Sequence, residues 1–387
     1  MLPPYLSLEM RLFTARSLAL AYLLISGVLY AARYTQFSPV YILTPTALLL
    51  FVCAFGVSRK ALQSPDCACA ILMIVVMVFP LVNNEINGAY LNGILGYLTY
   101  IAVRVASYKH LGLQVVRNAI SISSVPCVIY IALDTAVRFI NPELPTDEYA
   151  NHIINNEYSE RYLYKFGGWM FADSNSSGLL ALAFMLMRLE VFDNWRKPTL
   201  VDFMFFTLCL LSLSWSIYIV LVMVFVWKSY QGLSRSVIEG LLVVVLPLGI
   251  FIIAATWNYL ISMMSSFLSI KLFTASKAID YFSHASLLER IFGVGPGMSL
   301  AKIGIYTHTH VLTYLIEMGI IGLFIFLSFQ VLIYVKSKTN IQVSLLIAGM
   351  SYYFYLGAPF LLVTVAIVSR AASIQRDGRK DVRRKAD

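Results

Sequence analysis

The chain has 387 residues, of which 59% are hydrophobic and only 13% are charged. Soluble globular proteins carry about 25% charged residues, so the composition excludes an ordinary soluble domain and indicates a polytopic membrane protein. The formal net charge of +9 does not indicate nucleic-acid binding, because basic residues in membrane proteins usually reflect orientation by the positive-inside rule.

Apolar segments recur along the whole chain and predict an all-α fold with about twelve membrane spans. The predicted spans are 16–34, 40–58, 67–83, 87–107, 113–138, 174–190, 199–213, 215–230, 236–257, 308–335, 340–355 and 357–374. The spans 199–213 and 215–230 are short, and one long helix with a break near Ser214 is the alternative. Only Gly357, Ala358 and Pro359 separate the last two spans.

The positions of the basic residues predict the orientation of these spans. With the N-terminus in the cytoplasm, 21 of the 29 Lys and Arg residues fall on the cytoplasmic side. This excess predicts that both termini are cytoplasmic and that the number of spans is even. The basic tail, 375–387, is expected to contact anionic lipid headgroups.

We therefore expect a single integral membrane domain over residues 1–387, with two long outer segments at 139–173 and 257–307. The cytoplasmic loops are short and basic, so chemistry is predicted at the outer face or within the membrane. The sequence GVGPG at 293–297 lacks the preceding strand and the full spacing of a dinucleotide motif. Its glycines instead predict a tight turn.

The end of the first outer segment combines cations, an aromatic residue and a predicted helix start. Asp173 and Asn175 predict an N-cap, and Arg161 and Lys165 lie shortly before it. Capping alone explains the polar residues, while a helix N-terminus beside two cations also suits a phosphate or diphosphate. Trp169 suits either a sugar ring or the aromatic belt of a membrane interface.

The second outer segment is predicted to begin with an amphipathic helix at the outer interface, and it carries Lys277 and Arg290. His308 and His310 follow, just before an apolar helix that contains Glu317. Two histidines without a nearby cysteine or acid pair do not supply three ligands, so no metal is expected. A buried acid usually faces a cavity or a partner, and imidazole suits proton transfer near neutral pH. The alternative is a histidine with only a structural hydrogen bond.

Four short motifs together resemble a known family. THTHVLTYLIEMGIIG (307–322) is similar to the His-x-x-x-Leu-x-x-Leu-x-Glu-x-Gly-x-x-Gly signature of the O-antigen ligase and polymerase superfamily. FGVGPGM (292–298) resembles its Phe-Gly-x-Gly-x-Gly segment, FGGWMFADSNSSGLLAL (166–182) its Gly-rich helix start, and SLSWS (212–216) its Ser-Arg-Ser segment. The resemblance covers about 160–335, whereas the first third of the chain is similar only in being hydrophobic.

The resemblance implies a GT-C-like architecture and the activity of a Wzy-type O-antigen polymerase at the outer face of the bacterial inner membrane. Such an enzyme joins oligosaccharide units carried on undecaprenyl diphosphate, without a metal or other cofactor. Donor, acceptor and membrane lipids are the implied partners, together with a chain-length regulator. The implied site residues are His308, His310 and Glu317 for catalysis, Arg161, Lys165, Lys277 and Arg290 for the diphosphate, and Asp173, Asn175 and Trp169 for the helix start and the sugar.

Two departures and two alternatives accompany the resemblance. Lys165 and Lys277 stand near positions where the family has Arg, which gives up bidentate phosphate geometry, and Trp215 stands where it often has Arg. A ligase that transfers glycan to lipid A–core has the same motifs. A flippase for lipid-linked sugars is the alternative from another class, and it would line a path with mid-span charges, for which Asp134, Glu239 and Glu317 are the candidates.

Overall fold

The computed structural model describes residues 8–29, 38–82, 87–107, 110–143, 164–165, 168–171, 173–195, 197–232, 272–304, 309–339, 341–349 and 359–386. Across these residues the regular structure is helical and contains no strand. The helices are α1 Leu8–Val28, α2 Val40–Phe55, α3 Arg59–Leu62, α4 Pro65–Val78, α5 Gly88–Val105, α6 Leu113–Ile140, α7 Ser174–Phe192, α8 Leu200–Leu211, α9 Trp215–Gly232, α10 272–284, α11 Leu287–Phe292, α12 Ser299–Ile303, α13 His310–Ser337, α14 Ile341–Ala348 and α15 Pro359–Ala386.

The all-helical fold is confirmed and is compatible with a membrane protein, whereas the count of twelve spans stays a prediction. Among the described residues, three helices, α6, α7 and α13, are long and apolar enough to cross a membrane, and six shorter apolar helices accompany them. The predicted span 236–257 lies outside the described residues. Both interpretations of 199–230, two short spans or one long helix with a break, expect an interruption near Ser214. The structure has it there, because α8 ends at Leu211 and α9 begins at Trp215, with Leu213 at a left-handed φ of 55° between them.

Helix α7 lies at the centre of the bundle. Its side chains are buried on every side, as expected for a helix that is apolar around its whole circumference. Phe184 of α7 stacks between Phe205 of α8 and Phe360 of α15, with ring centroids 5.1 and 4.6 Å away. These stacked rings pack the middle of the central helix against two neighbours, and the first residues of the same helix belong to a predicted site.

The connections between helices gather at two opposite ends of the bundle. At one end, which we call the basic end, Lys336 contacts Asp66, Arg370 donates to the carbonyl of Ala106, and Arg188 pairs with Asp202.

The other end contains the glycine-rich residues 293–299, and we call it the glycine-loop end. There the side chain of Asn87 donates to the carbonyl of Pro296. Loops that the sequence predicts on one side of the membrane thus meet at one end of the molecule. Which end faces the cytoplasm remains a prediction.

Candidate functional site

Helix α13 is interrupted at Gly319. This glycine has φ 67° and ψ −172°, which no residue of a regular helix adopts. The interruption divides α13 into a short segment, 310–318, and a long segment, 320–337. At 1.5 Å per residue the short segment extends about 13 Å, less than half of the roughly 30 Å hydrocarbon core.

The two segments of α13 bend back towards each other. Tyr314 and Phe326 stack with ring centroids 4.0 Å apart, although twelve residues of straight helix would separate them by about 18 Å. The hydroxyl of Tyr314 lies 3.2 Å from that of Tyr97 on α5, and the ring of Tyr97 meets Phe329 edge to face. Aromatic packing against α5 therefore stabilises the bend.

The loop of residues 293–299, which we call the glycine loop, caps the end of the short segment. A break in a helix leaves backbone carbonyls without their usual donors, and buried carbonyls need replacements. The N–H of Val294 donates to the carbonyl of Ile316 at 3.0 Å, and the N–H of Gly295 donates to the carbonyl of Glu317 at 2.8 Å. The loop therefore supplies the hydrogen bonds that the interruption removes.

The carboxyl group of Glu317 binds the same loop from within the bundle. Its Oε2 accepts from the N–H of Gly297 at 2.9 Å, and its Oε1 accepts from the hydroxyl and the N–H of Ser299 at 2.6 and 3.3 Å. Glu317 is buried, and three donors satisfy much of its acceptor capacity. A buried acid was expected to face either a cavity or a partner, and the carboxyl group of Glu317 has a partner, the glycine loop.

Close approach of backbones explains the glycines at this contact. Gly293, Gly295 and Gly297 all have positive φ, so the predicted tight turn is confirmed. A Cβ on Gly293 would lie 2.3 Å from the carbonyl carbon and oxygen of Glu317, and one on Gly319 would lie 2.3 Å from the carbonyl oxygen of Ile291. Any other residue at these positions must push two backbones apart.

Residues from the first third of the chain hold the other side of the glycine loop. Asn87 donates to the carbonyl of Pro296 at 2.8 Å while its Oδ1 caps the start of α5. Phe79 stacks on Phe292 with ring centroids 4.2 Å apart. These residues were not predicted from the sequence, because this third of the chain carries none of the quoted motifs. An Asn directly before an apolar helix is an N-cap signal, but it does not reveal a contact with the loop.

A capping box fixes the short helix α11, which leads into the glycine loop. Ser286 caps this helix and exchanges hydrogen bonds with Glu289. The backbone and side chain of Ser286 lower the pKa of Glu289, with a smaller contribution from Lys302 3.4 Å away. Burial, together with Glu289, raises the pKa of Tyr281 to about 12.

Of the two predicted phosphate-binding cations of the second segment, Arg290 lies next to this box and Lys277 lies on α10. Arg290 donates through Nε to the carbonyl of Ala285 at 3.0 Å and through Nη2 to that of Ser283. Lys277 is half-buried, with its ammonium 5.7 Å from the centre of the Phe273 ring. The guanidinium of Arg290 therefore binds backbone carbonyls at the end of α10.

A second cluster surrounds Arg138, near the end of α6. Arg138 is fully buried and donates to the carbonyls of Tyr164 and Leu211 at 2.5 and 2.8 Å. One turn earlier, Oδ1 of Asp134 accepts from the N–H groups of Met170 and Phe171 at 2.7 and 3.2 Å. These two charged residues fix the segment before α7 and the loop after α8. The sequence indicated Asp134 only as a mid-span acid, and Arg138 lies in none of the quoted motifs.

The predicted N-cap at Asp173 is confirmed. Its carboxylate accepts from the backbone N–H of Asn175 at 2.9 Å and from the amide of that side chain at 2.7 Å. The N–H of Ser174 donates to the carbonyl of Lys165 at 2.8 Å, and that of Ser176 donates to the carbonyl of Asp173. Because these N–H groups have protein acceptors, a diphosphate at this place would bind through side chains. Trp169, four residues before Asp173, is 44% exposed.

Of the two predicted histidines, His310 lies within the described residues and His308 does not. His310 is buried at the first residue of α13, close to Gly349, where a Cβ would lie 1.5 Å from Nε2. His308 and Arg161 lie outside the described residues, as do positions 144–163 of the first outer segment. Within the described part of the chain, no group of three His, Cys, Asp or Glu residues could hold a metal ion.

The four quoted motifs form two contacting pairs. The helix with Glu317 packs on the glycine loop, and the start of α7 packs on the segment 212–216, where a Cβ on Gly178 would lie 2.4 Å from that of Ser212. No family model matches the chain, and no curated protein matches it. The family resemblance therefore depends on these residues and on their arrangement.

Proposed function

We propose that this chain is a Wzy-type O-antigen polymerase, a metal-independent glycosyltransferase of the bacterial inner membrane with about twelve spans and a GT-C-like architecture. It would join oligosaccharide units carried on undecaprenyl diphosphate at the outer face. The observation that carries the proposal is the pairing of the four motifs. Residues scattered over 166–322 that resemble one family meet in two contacts at helix ends.

The proposed chemistry needs charge stabilisation on the leaving diphosphate. Arginine and lysine side chains stabilise such charge without a metal. The carbonyl of Lys165 accepts from Ser174, the first residue of α7, and Lys277 and Arg290 lie on and after α10. Each cation therefore belongs to a segment next to one of the two motif contacts. Arg161 completes the predicted set. A lipid-linked donor also needs apolar walls for its tail, which a bundle of apolar helices supplies.

The acceptor hydroxyl must lose a proton as the new glycosidic bond forms. His308 is the proposed base, because a histidine transfers protons near neutral pH and this one immediately precedes the short segment of α13. His310, two residues later, is buried. We assign Glu317 a positioning role, since its carboxyl group holds the glycine loop through three hydrogen bonds.

Analysis of lipopolysaccharide on a gel tests the proposal. Cells that lack the gene should show core with a single repeat unit, and the wild-type gene should restore the ladder. His308→Ala should behave like the deletion. His284→Ala is the matched control, because His284 lies in the same outer segment but its side chain is 80% exposed on α10, so this variant should restore a full ladder.

Other patterns on that gel would contradict the polymerase. Long lipid-linked glycan that fails to reach the core identifies a ligase. Single lipid-linked units that accumulate on the cytoplasmic side identify a flippase. A normal ladder from His308→Ala, with the variant present at wild-type level, would remove the proposed base.

A further inference from the structure

A polar cavity opens between helix ends at the basic end of the bundle, away from the motif contacts. Its volume is about 500 Å³. Lys60, Arg104 and Lys336 contribute to its lining, and the lining residues within the described ranges include no acid. These cations come from the ends of three different elements, so the fold, and not a local charge run, brings them together.

A single buried acid positions two of the cations. Asp66, which is 1% exposed, accepts from Arg104 Nε at 2.8 Å and from the hydroxyl of Tyr100 at 2.9 Å, and Lys336 contacts its other oxygen. Asp66 thus holds the side chains of Arg104 and Lys336 at the cavity, and Lys60 of α3 adds a third cation to its lining.

Hydroxyl groups complete the lining. Ser58 and Ser64 flank α3, while Ser369 and Ser373 lie one turn apart on α15. Ser64 also precedes the first residue of α4, a helix of 14 residues, so the positive end of that helix dipole lies at the cavity. Cations, hydroxyl donors and a helix N-terminus are the groups that bind phosphate oxygens.

We propose that this basic-end cavity binds a phosphate-bearing anion, either the phosphodiester headgroup of an anionic phospholipid or a free phosphate compound. Basic pockets between the cytoplasmic ends of membrane helices bind such headgroups, and the sequence predicts this end to be cytoplasmic. The site would tie α3, α5 and α13 together from outside the bundle. It is independent of the proposed outer-face activity, and its test needs no turnover.

The experiment titrates the purified full chain in detergent and counts bound molecules by native mass spectrometry. The probes are dihexanoyl phosphatidylglycerol, dihexanoyl phosphatidylcholine and inorganic phosphate. We expect one saturable phosphatidylglycerol site that phosphatidylcholine does not fill. Lys60→Gln should weaken its affinity about fivefold, the effect of one cation at a headgroup, and Lys60→Arg should restore it.

Lys197→Gln is the matched control, because Lys197 is exposed in the loop between α7 and α8 and does not line the cavity. Its affinity should equal that of the wild type. Binding of phosphatidylglycerol but not of inorganic phosphate identifies a lipid headgroup, whereas equal binding identifies a free phosphate compound. Equal losses in Lys60→Gln and Lys197→Gln, or equal binding of phosphatidylcholine, would overturn the proposal.

Discussion

The glycine-loop contact and the Arg138 cluster both hold irregular backbone against buried charged residues, but they do so by different means. Glu317 accepts from two backbone N–H groups and one hydroxyl, and none of those donors carries a charge. Arg138 instead donates to two carbonyls and lies in the field of Asp134 and Asp173. The first contact therefore depends on shape and on glycine, whereas the second depends on charge balance.

This difference predicts which substitutions each contact tolerates. A contact built on neutral donors and glycines should fail when a side chain is added. A contact built on charge should fail when a charge is removed. Three substitutions test these expectations, and their effects should decrease in the order given.

Arg138→Met should produce the largest loss of stability, about 4 kcal/mol, because it leaves two buried carbonyls without this donor and removes a buried positive charge from the field of Asp134 and Asp173. Equilibrium unfolding in detergent mixed with sodium dodecyl sulfate measures the loss. Arg117→Met is the control on the same helix. Arg117 is half-buried and donates to the carbonyl of Val191 at 3.2 Å, so we expect a loss of about 1 kcal/mol. Equal losses would show that charge balance does not distinguish the Arg138 cluster.

Gly319→Ala should cost about 3 kcal/mol, because alanine is strained at φ 67° and its Cβ would meet the backbone of Ile291 and Gly293. The same unfolding measurement applies. Gly112→Ala is the control, since a Cβ there would meet nothing within 4 Å, and its loss should stay below about 1 kcal/mol. If Gly319→Ala unfolds like the wild type, the backbone contact between α13 and the glycine loop is wrong.

The features that could be predicted depend on neighbouring residues, whereas those that were missed depend on residues far apart in the chain. Local signals placed the helices, the N-cap at Asp173, the break near Ser214 and the turn of the glycine loop. The interruption at Gly319 was not predicted, because apolar residues continue across it and a single glycine in an apolar helix gives no change of period. Its cause lies in a loop some 20 residues earlier and in Asn87, which is 209 residues from Pro296 in sequence. Such distant contacts have no local signature.

Glu317→Gln gives the smallest change and separates the two roles of this acid. One amide oxygen can still accept from Ser299, but the amide nitrogen cannot accept from Gly297, so we expect a loss of about 1 kcal/mol. If Glu317 only positions the loop, this variant should keep most of the polysaccharide ladder. Glu317→Ala removes both acceptor oxygens, so it should lose the ladder together with stability.

The opposite result would assign a proton-transfer role to Glu317. In that case Glu317→Gln would unfold almost like the wild type and yet give only core with a single repeat unit, as His308→Ala is expected to do. This single variant would then keep the stability of the protein and lose the polysaccharide ladder. Because Arg138 and Gly319 variants should lose both properties together, only the carboxyl group of Glu317 can show whether the glycine-loop contact is a scaffold or a part of the chemistry.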